Sequence, residues 1–423
     1  MTPVSGAAAP RAPGANLMLV LVSTMAVGPV LTHSLSAMAP LVIEDLAITE
    51  AQFGLLAAVT FFVASVTAVR TGRWADRLGA RTLLAVMFGG AALAMLVSAA
   101  APGYAVLLVA MVLSGLGQVM ANPATNRLIR LHVPASRRAS WLGMKQAGVQ
   151  ASQFVAGLVF PVLGLVLGWR IAVALASVAV LGLLVHGWFT VPVNHGGTPA
   201  PTSARGRAAT RGLPAILGGR TASDRGRARM PGVVHAYAAA AALMGLGMQA
   251  SNVYLPLFAH RALGLDLVTA GATVSVAALL GMASRVLWAR VMDRPGADGF
   301  VLLLVMALGS GVGAALMLVA PLLPVLAWTV WPAAVLHGSA ALAASVVVMS
   351  GAIRAVSAER VGASSGVVTM GLYAGFCTGP LVMGGLLQAT GSFAVGWGVV
   401  LVCYLACAVL ALFVRSRSRK RGG

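Results

Sequence analysis

Acidic residues are scarce in this sequence: nine Asp and Glu stand against 29 Lys and Arg in 423 residues, for a formal net charge of +20. Charge of either sign is thin, at 9% of residues, while 59% are hydrophobic and the mean hydropathy is +0.92. A soluble domain has no interior large enough to hide that much apolar surface. Cysteine is nearly absent. Cys377, Cys403 and Cys407 are odd in number and lie in apolar runs, which argues against a disulfide framework and reads as small core residues. No phosphate-cradling G-x-x-x-x-G-K-[ST] loop occurs, so direct drive by ATP is not expected. No metal-ligand cluster, buried acid or nucleophile with a base is visible, so neither an enzyme nor a metal or cofactor is expected. The basic residues sit in short gaps between apolar runs with no aromatic-interleaved stripe, and nucleic acid drops out as a partner.

What the chain does have is one long apolar run after another. A bilayer core about 30 Å thick needs roughly 20 apolar residues per helical span. Apolar length, Gly/Pro punctuation and charge place helices near 17–39, 53–71, 82–100, 104–126, 139–165 and 170–190, then near 233–260, 268–289, 299–320, 324–350, 362–388 and 393–414. The first run is too long for a signal-peptide core and reads as a membrane helix. Between the sets, 191–232 is rich in Gly, Pro, Ala, Ser and Thr and carries seven arginines against Asp224, the composition of a disordered linker. The expected organisation is a disordered tail over 1–16, a six-helix bundle over 17–190, the linker over 191–232, a second bundle over 233–414 and a basic tail over 415–423. The fold class is an all-α membrane protein with about 12 transmembrane helices.

Loops rich in Lys and Arg stay cytoplasmic. With the N-terminus inside, 27 of the 29 basic residues lie at or near the cytoplasmic face and only Arg170 and Arg261 lie outside. Both termini and the linker are then cytoplasmic, and the expected location is the plasma (inner) membrane.

The loop after the second run reads Gly72-Arg73-Trp74-Ala75-Asp76-Arg77-Leu78-Gly79-Ala80-Arg81, and the loop after the eighth repeats Asp, Arg and Gly in register at Asp293, Arg294 and Gly296, an offset of 217 residues. A second echo sets Gly143, Gly148 and Ser152 at 223 residues before Gly366, Gly371 and Gly375. One half is an imperfect copy of the other. The first loop resembles the signature of the major facilitator superfamily, G-x-x-x-D-R-x-G-x-[RK]. That resemblance implies a twelve-helix secondary transporter in which Gly72, Asp76, Arg77, Gly79, Arg81, Asp293 and Arg294 form a conformational latch, with Asp76 pairing with Arg127 or Arg130. Drug/proton antiporters carry an Arg four residues before a fourth-helix Gly, where this chain has Met111 ahead of Gly115.

Polar groups on faces that lipid would not tolerate mark the pathway. At 100° per residue, Lys145, Gln146, Gln150, Ser152 and Gln153 fall within an arc of roughly 160°, a cavity face on the fifth helix. Lys145-Gln146-Ala147-Gly148 also resembles the position in sugar porters where a Gln before Leu-Gly contacts the ligand. The first, fourth, seventh and tenth helices surround the cavity in this family, and here they offer His33, Gln118, Asn122, Gln249, Asn252, Tyr254 and His337. All nine acids map to loops or span ends, so a carboxylate proton relay is not expected. The cations within the spans are Lys145 and Arg285, the latter partly resembling the eighth-helix Arg of monocarboxylate transporters. Two such charges about 8 Å apart repel by about 2 kcal/mol, on top of about 2.5–3.5 kcal/mol for each cation at mid-helix. A bound carboxylate or phosphate would offset this; the alternative is that both side chains snorkel to the surface. The expected function is a secondary active transporter of a small solute, an organic anion, working by alternating access. The alternatives are drug or multidrug efflux and transport of a sugar-like neutral solute. Expected partners are the small-molecule substrate, a proton or counter-anion as coupling ion, and the lipid bilayer, with the chain a monomer.

Overall fold

The structure, a computed structural model, describes residues 14–134, 137–191, 230–357 and 360–422, without the side chains of 69–77, 139 and 418–422. Nearly all of the linker expected over 191–232 and of the tail expected over 1–16 lies outside the described residues.

Twelve helices among the described residues are long and apolar enough to cross a membrane. They are α1 Ala15–Ala37, α2 Glu50–Arg77, α3 Ala80–Ala99, α4 Tyr104–His132, α5 Arg138–Leu167, α6 Trp169–Thr190, α7 Gly232–Arg261, α8 Leu267–Met292, α9 Gly299–Val319, α10 Pro324–Arg354, α11 Val361–Thr390 and α12 Phe393–Gly422. The order and number match the apolar runs. Several ends do not, because backbone bonding carries a helix past its apolar stretch: α2 and α4 extend to Arg77 and His132. After Ala37 the chain starts afresh as a short helix, Ala39–Asp45, with Pro40 in its first turn, where a missing N–H costs nothing. At the start of α8, the Asp266 carboxylate accepts from the Val268 and Thr269 amides, a side-chain N-cap.

The first six helices pack chiefly on one another, as do the last six, and the pairings echo. Helix α1 packs on α5 as α7 packs on α11, and α3 on α6 as α9 on α12. Glycine makes the first pairing close: a side chain at Gly148 would collide with the Val22 carbonyl, and one at Gly371 with the Ala238 carbonyl. These two glycines are a repeat pair, so the duplication visible in sequence is also a duplication of contacts.

Helices α2 with α11 and α5 with α8 join the two sets. Small residues again bring backbones together. Gly54 lies against Pro380 and Tyr254, Gly384 against Glu50, and Gly157 against Gly271 and Ser275. All of these lie in the half of the bundle remote from the face where α1 begins and α12 ends. That starting face is called the basic face below, and the other the far face.

Candidate substrate site

Four side-chain hydrogen bonds join the two helix sets among the described residues. Gln153 Nε2 donates to Asn252 Oδ1 at 3.0 Å, Ser275 Oγ to the Phe154 carbonyl at 2.8 Å, Tyr254 OH to the Glu50 carbonyl at 2.6 Å, and Arg261 pairs with Glu50 at 2.5 Å. The last two sit at the far-face ends of α2 and α7. The first lies near the middle of α5. No bond of this kind joins the sets nearer the basic face among the described residues, so the interface is tied at its far end and in its middle.

The middle tie belongs to a larger network. Asn252 Oδ1 also accepts from His337 Nε2 at 2.9 Å, and Asn252 Nδ2 donates to Gln249 Oε1 at 3.2 Å. His33 Nδ1 lies 2.9 Å from Ser152 Oγ, next in sequence to Gln153. His33, Gln153, Gln249, Asn252 and His337 are all buried. Five of the residues expected to line the pathway are therefore brought to one level, by α1, α5, α7 and α10. Helix α10 departs from a regular helix to do this: at His337–Ala341 it forms a π turn, with Leu342 N bonded to the His337 carbonyl at 3.1 Å. Gly338 in that turn abuts the Ala277 carbonyl of α8, and Ser284 Oγ donates to the Gly338 carbonyl.

Three buried amide atoms have no partner among the described residues: Gln249 Nε2 beside Asn252, Gln150 Oε1 on α5, and Gln118 Oε1 on α4, which packs on α1 at Gly28. Unpaired polar atoms in such a place are costly. Acceptors and a donor are thus available to a ligand with hydroxyl groups. Tyr254 does not belong to this group, since its hydroxyl is spent on the far-face tie to Glu50.

The two cations differ. Lys145 is 1% exposed, and its ammonium donates to Asn122 Oδ1 at 3.2 Å, Thr125 Oγ1 at 2.7 Å and Asn126 Oδ1 at 2.6 Å. All three of its protons are engaged with neutral oxygens of α4, so it neither snorkels nor presents a free donor. Gln146 Nε2 donates to the same Asn122 oxygen. Thr125 and Asn126 were not expected in the site; the signal was the polar pair Asn122 and Asn126, one helical turn apart in an apolar run. Among the described residues Arg285 has no hydrogen bond or ion pair, and its Nε is buried without a partner. By helical register it sits on α8 between the side that meets α5, at Gly271 and Ser275, and the side that meets α10, at Ser284 and Trp288. It therefore faces inward, not toward lipid.

Of the expected latch, the side chains of Asp76 and Arg77 and the surroundings of Gly72 lie outside the described residues. Gly79 caps α3 in extended conformation, and Arg81 Nε donates to the Val191 carbonyl at 2.7 Å, tying α3 to the end of α6. In the second copy Asp293 pairs with Arg354 of α10 at 2.9 Å, within its own helix set, while Arg294 is exposed. Gly296 has φ +78°, a conformation that favours glycine.

A family model of the Major Facilitator Superfamily matches residues 17–342. The chain belongs to that superfamily. It is a multi-pass membrane transporter, not an enzyme. Its fold is similar to that of the nucleoside transporter NupG, at TM-score 0.73 and 13% identity over 94% of this chain and 98% of that one. It is also similar to a bacterial homolog of the human lysosomal transporter Spinster in an inward-facing conformation, at TM-score 0.71 and 17% identity over 98% of each chain. Among curated proteins, a hexuronate transporter of Bacillus subtilis (strain 168) is 25% identical over 157 residues, 36% of this chain and 35% of that protein. A chloroplastic ascorbate transporter of Arabidopsis thaliana is 32% identical over 124 residues, 29% of this chain and 23% of that protein. The chain thus spans about a third or less of the length of these curated relatives.

Proposed function

We propose that this superfamily member is a secondary active transporter of a small organic anion, working by alternating access between its two six-helix bundles, over 17–190 and 233–414, in the inner membrane. The observation that carries the reading is Arg285: a half-buried guanidinium on the inward side of α8, between the sides that meet α5 and α10, with its Nε buried and no acceptor among the described residues. Among the described residues every carboxylate sits at a helix end or in a loop. An anionic ligand is the natural counter-charge, and the planar fork suits a carboxylate gripped by two parallel bonds. The unpaired amides of Gln118, Gln150 and Gln249 suit hydroxyl groups on the same ligand. The relatives named for hexuronate and ascorbate support the same chemistry, a polyhydroxylated acid. With the arginine-rich linker cytoplasmic, the basic face is the inner one. The ties at the far end then close the outer side, which is an inward-facing state.

The test is binding of glucuronate, gluconate and ascorbate, with the neutral sugar glucose as control, to purified protein in nanodiscs. An acid should bind and glucose should not, and Arg285→Gln should lose the binding. A neutral or cationic best ligand, or undiminished binding of the acid to Arg285→Gln, overturns the reading.

A further inference from the structure

The second helix set encloses a small cavity that substrate binding does not use. It lies among α7, α9, α10 and α12, and its polar lining comes from Ser251, Ser310, His337, Trp397 and Tyr404. Ser310 Oγ, Trp397 Nε1 and Tyr404 OH are all buried there without a hydrogen-bond partner. These residues are 1–2% exposed, so no lipid headgroup or bulk water reaches them. Such orphans are rare and are normally satisfied by an internal water. The cavity has room for about one. Its walls are built for this: Tyr404 lies where any side chain at Gly247 would collide with its ring and hydroxyl.

His337 connects this cavity to the cross-bundle network. Its Nε2 donates to Asn252, whose oxygen also accepts from Gln153. Among the described residues its Nδ1 has no hydrogen bond to protein. We propose that the cavity holds a water shared by His337, Ser310, Trp397 and Tyr404, and that this assembly is the proton-binding site of the transporter.

The hydrogen-bond count supports both protonation states. With His337 neutral, the water donates to Nδ1 and to one hydroxyl, and accepts from the Trp397 N–H and from the other hydroxyl. When a proton arrives on Nδ1, the imidazolium donates to the water, which still accepts from Trp397 and now donates to both hydroxyls. Ser and Tyr hydroxyls reorient freely between donor and acceptor, so no atom is orphaned in either state. The bond from Nε2 to Asn252 persists throughout, which ties the charge on His337 to the contact between bundles.

The titratable or charged groups nearest His337 along the surrounding helices are Tyr404, Cys403 and Cys407 on α12, Arg285 on α8, and Tyr254 on α7, whose hydroxyl is bonded to Glu50 at the far face. Against His337 and its cavity, α7 sets the neutral Asn252 and Ser251 and α9 the neutral Ser310. Arg285 follows Ser284, which bonds the carbonyl of Gly338, the residue after His337. One step further through this neighbour, the Arg285 charge would disfavour a second charge on His337, and an anion neutralising Arg285 would remove that penalty. Proton and anion would then load together. The proposal rests on the reading of the chain as a secondary transporter, and only this last step rests on the anion.

The experiment is a pH titration of the full chain in nanodiscs, labelled with 15N-histidine and without substrate, using His337→Gln to assign the signal. At high pH, His337 should carry its proton on Nε2, with Nδ1 hydrogen-bonded, and it should protonate as the pH falls from about 9 to 4. Tyr404→Phe keeps the ring and removes the hydroxyl. Protonation should then need about tenfold more acid, with Ser310→Ala shifting the same way and Tyr254→Phe, at the far-face tie, leaving the midpoint in place. Ser310→Ala alone decides if Tyr404→Phe does not fold. A proton on Nδ1 at high pH, a signal that never titrates, or an unmoved midpoint in the cavity variants overturns the site. Failure of the acids to bind at Arg285 would leave this titration standing.

Discussion

Lys145 and Arg285 invite a direct comparison. One belongs to each helix set, and the register of α5 against α8, with Gly157 at Gly271 and Gln150 at Gly281, brings them to a similar depth. No acid accompanies either. Lys145 is nonetheless fully satisfied, because a compact ammonium with three donors can be enclosed by three neutral oxygens on one neighbouring helix. Arg285 has five donors in a rigid plane, and no cluster of neutral oxygens matches it. The lesson is that two inward cations at one level can differ in what their neighbours offer: the lysine holds α4 to α5, and the arginine has no partner among the described residues, which is what the proposed anion site uses.

The largest effect expected from breaking this contrast is at Arg285. Arg285→Gln should weaken acid binding about 100-fold, in line with truncating one partner of a buried charged pair. Its thermal midpoint should not fall, since the wild-type cation has no protein partner to lose. Arg285→Lys should not restore binding; recovery by lysine would show that only a point charge is needed.

Next in size is Lys145→Met, whose effect should fall on stability. Three charge-assisted bonds are lost, partly offset by relief of a buried charge, for a net loss of about 1–3 kcal/mol by thermal unfolding. Combining it with Asn126→Leu should cost less than the sum, because the two share a bond. A full loss of acid binding with unchanged stability would place Lys145 at the ligand instead.

A smaller effect asks whether the contrast depends on the far-face ties. Tyr254→Phe with Glu50→Gln weakens the far-face ties, and a shift of about 1 kcal/mol, roughly fivefold in population, should appear as longer distances between spin labels placed at the far-face ends of α2 and α11. Lys145→Met should leave those distances unchanged, since its bonds stay within one helix set.

The smallest effect concerns Asp266, which caps the helix that carries Arg285. Hydrogen bonds from the Thr269 side chain and from the Thr269 and Val268 amides hold its carboxyl below the usual range. The stability it adds is therefore present above the ordinary carboxylate value, near ~3.9, and is lost only as the pH falls through the lowered value. Asp266→Asn, with a neutral amide oxygen in the same place, should be slightly less stable than wild type near neutrality, and the difference should close in strong acid.

Much of the fold was legible because a bilayer imposes a length and a composition on every span, and both are written locally. The twelve runs and the paired glycines Gly148 and Gly371 could be read without coordinates. So could the polar face of α5, since a helix has one period. The bonding of Lys145 could not, because Asn122, Thr125 and Asn126 reach it only through the packing of α4 on α5. Nor could the π turn at His337, which depends on Gly338 meeting Ala277 of another helix. Tyr254 was misplaced for the same reason: its helix face was readable, but its partner is a backbone carbonyl about 200 residues away.

Sequence alone determined that this chain lives in lipid, that it is a duplicated twelve-helix transporter, and which polar residues its helices carry inward, because hydropathy, repeat offset and helical period are properties of the chain itself. Tertiary structure decided which of those residues are already spent. Whether a buried donor is free depends on the oxygens that other helices bring within about 3 Å of it, and that distance exists only once the helices have packed.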